Sequence, residues 1–220
     1  MSTLQQVLKR FNVKQDESPI YIPGSRYKDL PKLLWKIGSR KGVEVGVRNG
    51  KYSQVLCSWM PKLKLYCVDP WEDYDEYPER YITNYETNHI KAYDNAKKRL
   101  APYNCELIKD YSENAVKLFK DGELDFVFID GNHSFQYVVA DIALWSRKVR
   151  KGGIISGHDY FNTREVGLAL HNKDMKMAKD KIKLLVQTKD AVDAWVKTND
   201  IKPLFILTKE RAKAWFWVKE

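Results

Sequence analysis

Glu44-Val45-Gly46-Val47-Arg48-Asn49-Gly50 lies between a short apolar run and a helical pattern. Upstream, Gly42 to Val45 reads as a short buried strand. Downstream, Tyr52, Val55, Leu56, Trp59 and Met60 share one face of an amphipathic helix, which Pro61 ends. A strand that turns on glycines into a helix is how α/β folds cradle a small molecule. Glycine admits φ > 0 and close approach of a ligand, and the helix start offers unpaired N–H groups.

The alternation continues outward from this turn. Lys64 to Asp69 is a second strand, and Cys105 to Lys109 a third. A helix between them puts Ile90, Tyr93 and Leu100 on one face, and Ser112 is placed to cap the next helix. Phe126-Val127-Phe128-Ile129-Asp130 is the strongest strand pattern in the chain. The helix after it carries Phe135, Val138, Val139, Ile142 and Trp145, and Gly152-Gly153 introduces a fifth strand through Gly157. A helix around Ala191 to Val196 then precedes Leu204 to Leu207 and Trp215 to Val218. These last strands are too close in sequence for a parallel crossover and must pair antiparallel. The expectation is a doubly wound, mostly parallel α/β sheet of seven strands, Rossmann-like, ending in an antiparallel hairpin. Residues 1–40 form a helical N-terminal segment, a candidate substrate cover, and residues 41–220 the main domain.

The bulk properties narrow the class. A chain of 220 residues with 44% hydrophobic and 30% charged content suits one soluble globular domain. No apolar stretch is long enough to span a membrane, and no secretory signal pattern opens the chain, so a cytoplasmic protein is expected. The net charge of +9 is spread over scattered lysines, which reads as a solvated basic surface rather than a nucleic-acid footprint. Cys57, Cys67 and Cys105 match neither zinc spacing nor a disulfide framework and are expected to be reduced and mostly buried.

Ligands of open α/β sheets bind beyond the carboxyl ends of the strands. Glu44 and Gly46, Asp69, Asp110, Asp130 and His133, and His158 with Asp159 stand there. An acidic rim of this kind repels a pyrophosphate and welcomes a cation. Arg48 also interrupts the Gly-x-Gly-x-x-Gly pattern that a dinucleotide requires.

This order of elements resembles the class I S-adenosylmethionine-dependent methyltransferases from about Lys41 to the C-terminus. The Glu44–Gly50 loop, Val68-Asp69-Pro70-Trp71 and the terminal hairpin carry the likeness. Its most specific part is Ile129-Asp130-Gly131-Asn132-His133 with Gly152-Gly153-Ile154-Ile155-Ser156-Gly157-His158-Asp159-Tyr160. That block is similar to a branch reading IDGxHxY…D…W…L…GGxxxGHDY, although Phe135 replaces its first tyrosine. By this resemblance Gly46, Asn49 and Gly50 border the methionine part of the cofactor and Glu44 holds its amino group. Asp69 takes the ribose hydroxyls, Trp71 or Tyr111 covers the adenine, and Asp110 or Ser112 meets its exocyclic amine. Asp130 also faces the cofactor.

The resemblance implies methyl transfer to a small-molecule or glycan acceptor, at oxygen, with His133, His158 and Asp130 as candidate catalytic groups. Oxygen-rich ligands at Asp130 and Asp159, with His158, leave a Mg²⁺ open. The aromatic and acidic stretch from Trp71 to Tyr85 reads as a lid. The five lysines between Lys173 and Lys183 read as a basic helix on the substrate side. A homodimer stays open. Two other classes compete: an NAD-dependent oxidoreductase, and a nucleic-acid methyltransferase or binding module. Arg48 and the acidic rim argue against the first. The acidic lid and the absence of a separate recognition domain argue against the second.

Overall fold

A computed structural model of the chain describes residues 1–15, 17–72, 89–161 and 186–220. Helix α1 (Thr3–Phe11) leads to strand β1 (Ile20–Ile22), helix α2 (Asp29–Lys36) and strand β2 (Lys41–Val45). Then come α3 (Lys51–Trp59), β3 (Lys64–Asp69), α4 (His89–Leu100), β4 (Cys105–Lys109) and α5 (Ser112–Ala115). The chain goes on through β5 (Leu124–Ile129), α6 (Phe135–Lys148), β6 (Val149–Gly157) and α7 (Thr188–Thr198), and ends in β7 (Phe205–Leu207) and β8 (Ala214–Val218).

The described strands form one sheet in the order β1-β7-β8-β6-β5-β2-β3-β4. Strand β8 pairs antiparallel with β6 and with β7, and every other pairing is parallel. The mostly parallel sheet and its terminal hairpin are as expected, but the described residues form eight strands, not seven. The extra one is Ile20–Ile22, paired in parallel with Phe205–Leu207. Three residues are too few to show a period of two, and the prolines on either side read only as punctuation.

Helices cover both faces, as the near-continuous apolar runs of the central strands require. Leu33, Leu56, Phe126, Phe128 and Phe216 belong to one core; Val127, Ile142, Trp145, Ile155 and Trp215 belong to the other. Two helical faces differ from expectation. Ile90 is 78% exposed, and α4 instead buries Ala96 and Leu100; Phe135, at the first turn of α6, is 39% exposed. Cys57 and Cys67 are buried and Cys105 half-buried, all with free thiols. The fold draws them together, with the Cys57 and Cys105 sulfurs 3.4 Å apart.

One glycine sets how the central strands end. Gly46 has φ +87°, and a Cβ on it would overlap the Asp130 carbonyl oxygen. Gly38 also has a positive φ, +81°, but nothing lies within 4 Å of its missing side chain. Gly38→Ala is therefore expected to cost about 1–2 kcal/mol from torsion alone. Gly46→Ala adds displacement of β5 and should cost on the order of 3 kcal/mol or more. Urea unfolding of both variants checks this; equal losses would rule out the steric contribution at Gly46.

Candidate active site

Strand order reverses between β2 and β5, and a cavity of about 570 Å³ opens there at the strand carboxyl ends. Its size is that of a small-molecule site. Its walls come from the loop after β2, the end of β3, the start of α5, the first turns of α6 and the segment around Arg26.

The loop after β2 is fastened to β3. Gly46 N–H donates to the Val68 carbonyl at 2.9 Å. The Asp69 carboxylate accepts from Val47 N–H at 2.9 Å and Arg48 N–H at 2.8 Å through Oδ2, and from Trp71 N–H at 2.7 Å through Oδ1. Burial raises the Asp69 pKa, and these three backbone bonds oppose that rise. Asp69 is thus first a loop organiser. Of its four lone pairs three are in use, which leaves one acceptor position on Oδ1. Trp71 stands on the cavity wall, held by its Nε1–H on the Arg48 carbonyl at 2.8 Å and by the edge of Tyr93.

Glu44 is buried beneath this loop and receives the Ser53 hydroxyl. Burial pushes its pKa well above the carboxylate range, against the Ser53 bond. Asn49 lines the cavity while its Oδ1 accepts from Asn95. Gly50 is not on the cavity wall. It is the left-handed N-cap of α3, at φ +70°, and a side chain there would meet Leu100 at 3.1 Å.

At the end of β4 the expected residues divide. Tyr111 and Ser112 line the cavity. Asp110 does not: its Oδ1 accepts from Tyr111 N–H at 2.7 Å and from Asn114 at 3.1 Å, tying down the start of α5. Ser112 is the first residue of α5, and its N-cap is Tyr111. The Ser112 hydroxyl accepts from Trp145 Nε1–H at 2.8 Å and donates to Asp141.

At the ends of β5 and β6, two carboxylates meet two histidines. His133 Nε2 lies 3.1 Å from Asp159 Oδ2 and 3.4 Å from Asp130 Oδ1. His158 Nδ1 lies 3.1 Å from Asp159 Oδ1 and 3.4 Å from Asp130 Oδ1. His158 Nε2 faces the Ala212 carbonyl at 3.1 Å. A carbonyl only accepts, and carboxylates accept, so both His158 nitrogens carry protons. Burial pulls the His158 pKa down, but the charge and bonds of Asp130, with Asp159, outweigh it and raise the value to about 9. Asp130 is held well below the carboxylate range: burial opposes this, and His158 and His133 prevail. Asp130, Asp159 and His133 line the cavity; His158 stands behind them.

Two cavity residues were given no role from the sequence. Arg26 belongs to a turn that reads as a mere break between helices. Its backbone N–H and the Ser25 hydroxyl are held by Glu210 at 3.2 and 2.5 Å. Its guanidinium lies 3.2 Å from Asp130 Oδ2 and 2.6 Å from the Tyr27 hydroxyl, and faces the Tyr52 ring. Asp141 stands with Trp145 at the D…W part of the motif that the chain resembles, but that pattern by itself assigns it no role.

Asp130, His133 and Asp159 are close enough to share an ion, with ligand atoms within 4.8 Å of one another. The expected third ligand, His158, has no lone pair to offer as an imidazolium. Arg26 and His158 already balance the two carboxylates, and Mg²⁺ favours oxygen over imidazole. This donor set does not fit a Mg²⁺ ion. The Tyr74, Tyr77, Tyr81 and Tyr85 stretch of the expected lid and the Lys173–Lys183 region lie outside the described residues. Among the described residues no helix is long and apolar enough to cross a membrane.

A family model described as a methyltransferase domain matches residues 43–160, more than half of the chain. No curated protein sequence matches. Among solved structures, an O-methyltransferase from Bacillus cereus in complex with S-adenosylhomocysteine is similar at 18% identity and TM-score 0.58, over 99% of this chain and 90% of that one. The S-adenosylhomocysteine-bound methyltransferase of Podospora anserina gives 17% identity and TM-score 0.60, over 87% and 76%. The O-methyltransferase TomG of Streptomyces achromogenes, in complex with SAM, gives 14% and 0.57, over 98% and 87%. At these identities the likeness is one of fold.

The histidine geometry predicts a pH dependence. A folded-state pKa of about 9 against the ordinary imidazole value of 6.5 makes His158 stabilising below pH 6.5, with that contribution lost as pH rises through 9. The wild type should lose about 2–3 kcal/mol between pH 7 and 10 from this group. His158→Asn should start less stable and show a flatter profile over that range. Parallel profiles in thermal or urea unfolding would refute the imidazolium.

Proposed function

The chain belongs to the methyltransferase-domain family that its residues 43–160 match, and from that premise we propose that the cavity binds S-adenosylmethionine and that the protein methylates a hydroxyl of a small-molecule or glycan acceptor. One observation carries this reading: a carboxylate-lined trough ends at a histidine braced by two aspartates. Glu44, Asp69 and Asp141 line the trough, and His133 stands beside Asp130 and Asp159. These acids suit a ligand bearing a sulfonium and an ammonium, whereas a dinucleotide would bring two phosphates against them.

When bound, S-adenosylmethionine supplies a methyl group on a positively charged sulfur, activated for in-line displacement. Glu44 would hold its amino group, with the Gly46–Asn49 backbone beside it. The remaining acceptor position of Asp69 would take a ribose hydroxyl, and Trp71 would form the flank. His133 would act as the general base. With Nε2–H pledged to Asp159 and Asp130, Nδ1 is the nitrogen that takes the acceptor's proton, and the two carboxylates stabilise the imidazolium that results. His158 acts at one remove by fixing Asp159. Arg26 places a positive charge where the acceptor oxygen gathers negative charge. Arg26 and Tyr27 line the cavity from the N-terminal segment, which supports a substrate-covering role for residues 1–40. No step needs Mg²⁺.

Calorimetry should show heat with S-adenosylmethionine and none with NAD; the reverse would overturn the cofactor. Asp69→Ala should weaken binding about tenfold or more, since it loosens the loop as well as removing an acceptor; unchanged affinity would remove Asp69 from the site. With an acceptor found by screening with methyl-labelled cofactor, His133→Gln should lower kcat roughly 10²–10⁴-fold and leave the KM for S-adenosylmethionine within a few fold. Wild-type kcat in that variant would refute the base. A chelator should leave turnover unchanged; loss of activity restored by Mg²⁺ would refute the metal-free mechanism.

A further inference from the structure

Resting on the S-adenosylmethionine reading above, we propose that Asp141, and not Asp110, is the group that reads the adenine base, accepting its exocyclic amine on Oδ2.

The argument begins with the chain of donors behind Asp141. Trp145 Nε1–H can only donate, and it donates to Ser112 Oγ at 2.8 Å. Ser112 is thereby left to donate its own proton, which goes to Asp141 Oδ1. The polarity of the relay is fixed from the buried end outward. It occupies one carboxylate oxygen and aims the other. Oδ2 lies 3.6 Å from the point where a Gly131 side chain would begin. Gly131 and Asp141 both line the cavity. Among the described residues Oδ2 has no hydrogen-bond partner, although Asp141 is only 6% exposed.

Oδ2 thus opens onto the cavity, and a ligand that displaces water from it must bring an N–H or O–H in return. The surrounding wall narrows which. Val68, Ala140 and Leu144 line the cavity in this region with Tyr111 and Tyr137. Apolar and aromatic surfaces suit the faces of a flat heterocycle, and a lone acceptor between them suits an N–H on its edge. Adenine presents an amine at position 6. Hypoxanthine presents a carbonyl there, which would set oxygen against oxygen. Burial, with Glu113 nearby, lifts the Asp141 pKa to about 7 against the Ser112 bond. The carboxyl is therefore poised, and an amine donor would hold it ionised. Asp110 cannot take the role as placed: it is off the cavity wall, and its Oδ1 serves Tyr111 and Asn114.

The test compares S-adenosylhomocysteine with S-inosylhomocysteine by calorimetry on the full-length protein. Wild type should prefer the adenosyl ligand about tenfold or more, the size of one hydrogen bond to a charged group. Asp141→Asn can turn its amide donor to a carbonyl, so it should reduce that preference to within about threefold or invert it. Asp110→Asn should keep the wild-type preference. Ser112→Ala removes the relay but not Oδ2 and should keep the preference with weaker binding overall. Wild type needs no variant to fold, so equal affinity for the two ligands in wild type alone refutes the assignment. A preference that survives in Asp141→Asn refutes it as well, and its loss only in Asp110→Asn transfers the role to Asp110. Failure of wild type to bind either ligand would instead overturn the S-adenosylmethionine reading beneath it.

Discussion

The approach of Gly46 to the Asp130 backbone is the constraint on which the site depends. Asp130 N–H donates to the Val45 carbonyl at 2.7 Å while Gly46 N–H turns to Val68 at 2.9 Å. The chain leaving β2 therefore swings toward β3, and the chain leaving β5 closes in behind it. Any side chain at position 46 would occupy the space of the Asp130 carbonyl. Because the two strand ends part in this way, a trough opens between them. Asp69 then holds the swung loop from one side with three backbone N–H bonds. The cavity is a consequence of how two central strands terminate, and the acids that line it are the residues those terminations expose.

What was legible in the sequence follows from this. The strand-turn-helix at Glu44–Gly50 and the run from Phe126 to His133 are local patterns, and each placed its element and its carboxylate correctly. Roles that depend on what lies across the turn were not legible. Gly46 reads as a glycine that admits a ligand, yet its missing side chain admits another strand. Gly50 reads the same way and packs on α4. Asp110 sits at a strand end like Asp69, but its carboxylate turns back on α5 while Asp69 turns inward. No spacing rule separates the two, since the difference lies in which N–H groups the fold brings near. Ile20–Ile22 was missed for a related reason. A three-residue strand has no pattern of its own and exists because β7 offers an open edge.

The charges in the site are balanced in a way that single residues conceal. Counted one by one, Asp130 and Asp159 look like a pair awaiting a metal. With Arg26 and His158 in place the pair is already neutral, and the positive charges are fixed by the protein. A guanidinium lies 3.2 Å from Asp130 and an imidazolium 3.1 Å from Asp159, and against burial His158 and His133 hold Asp130 well below the carboxylate range. His133 then meets carboxylates that can steady its proton without competing for it. Among the described residues Glu44 and Asp141 form no ion pair, and burial lifts both toward the neutral form. The acids at one end of the cleft are thus satisfied by the fold, and those along its length are left for a ligand to satisfy.

This division also runs along the chain. The family match spans residues 43–160, which hold the loop after β2, Asp69, Ser112, Asp130, His133, Asp141 and Asp159. Arg26 and Tyr27 lie outside it, as do Glu210 and Ala212, which hold Arg26 and His158 from the β7–β8 turn. Arg26 is in the site because β1 pairs with β7 and thereby carries the following turn over Asp130. The strand that the sequence did not reveal is therefore the one that delivers the Arg26 charge beside Asp130, at the histidine end of the cavity. Changes in the N-terminal segment or the terminal hairpin can reshape that end without disturbing Glu44, Asp69 or Asp141.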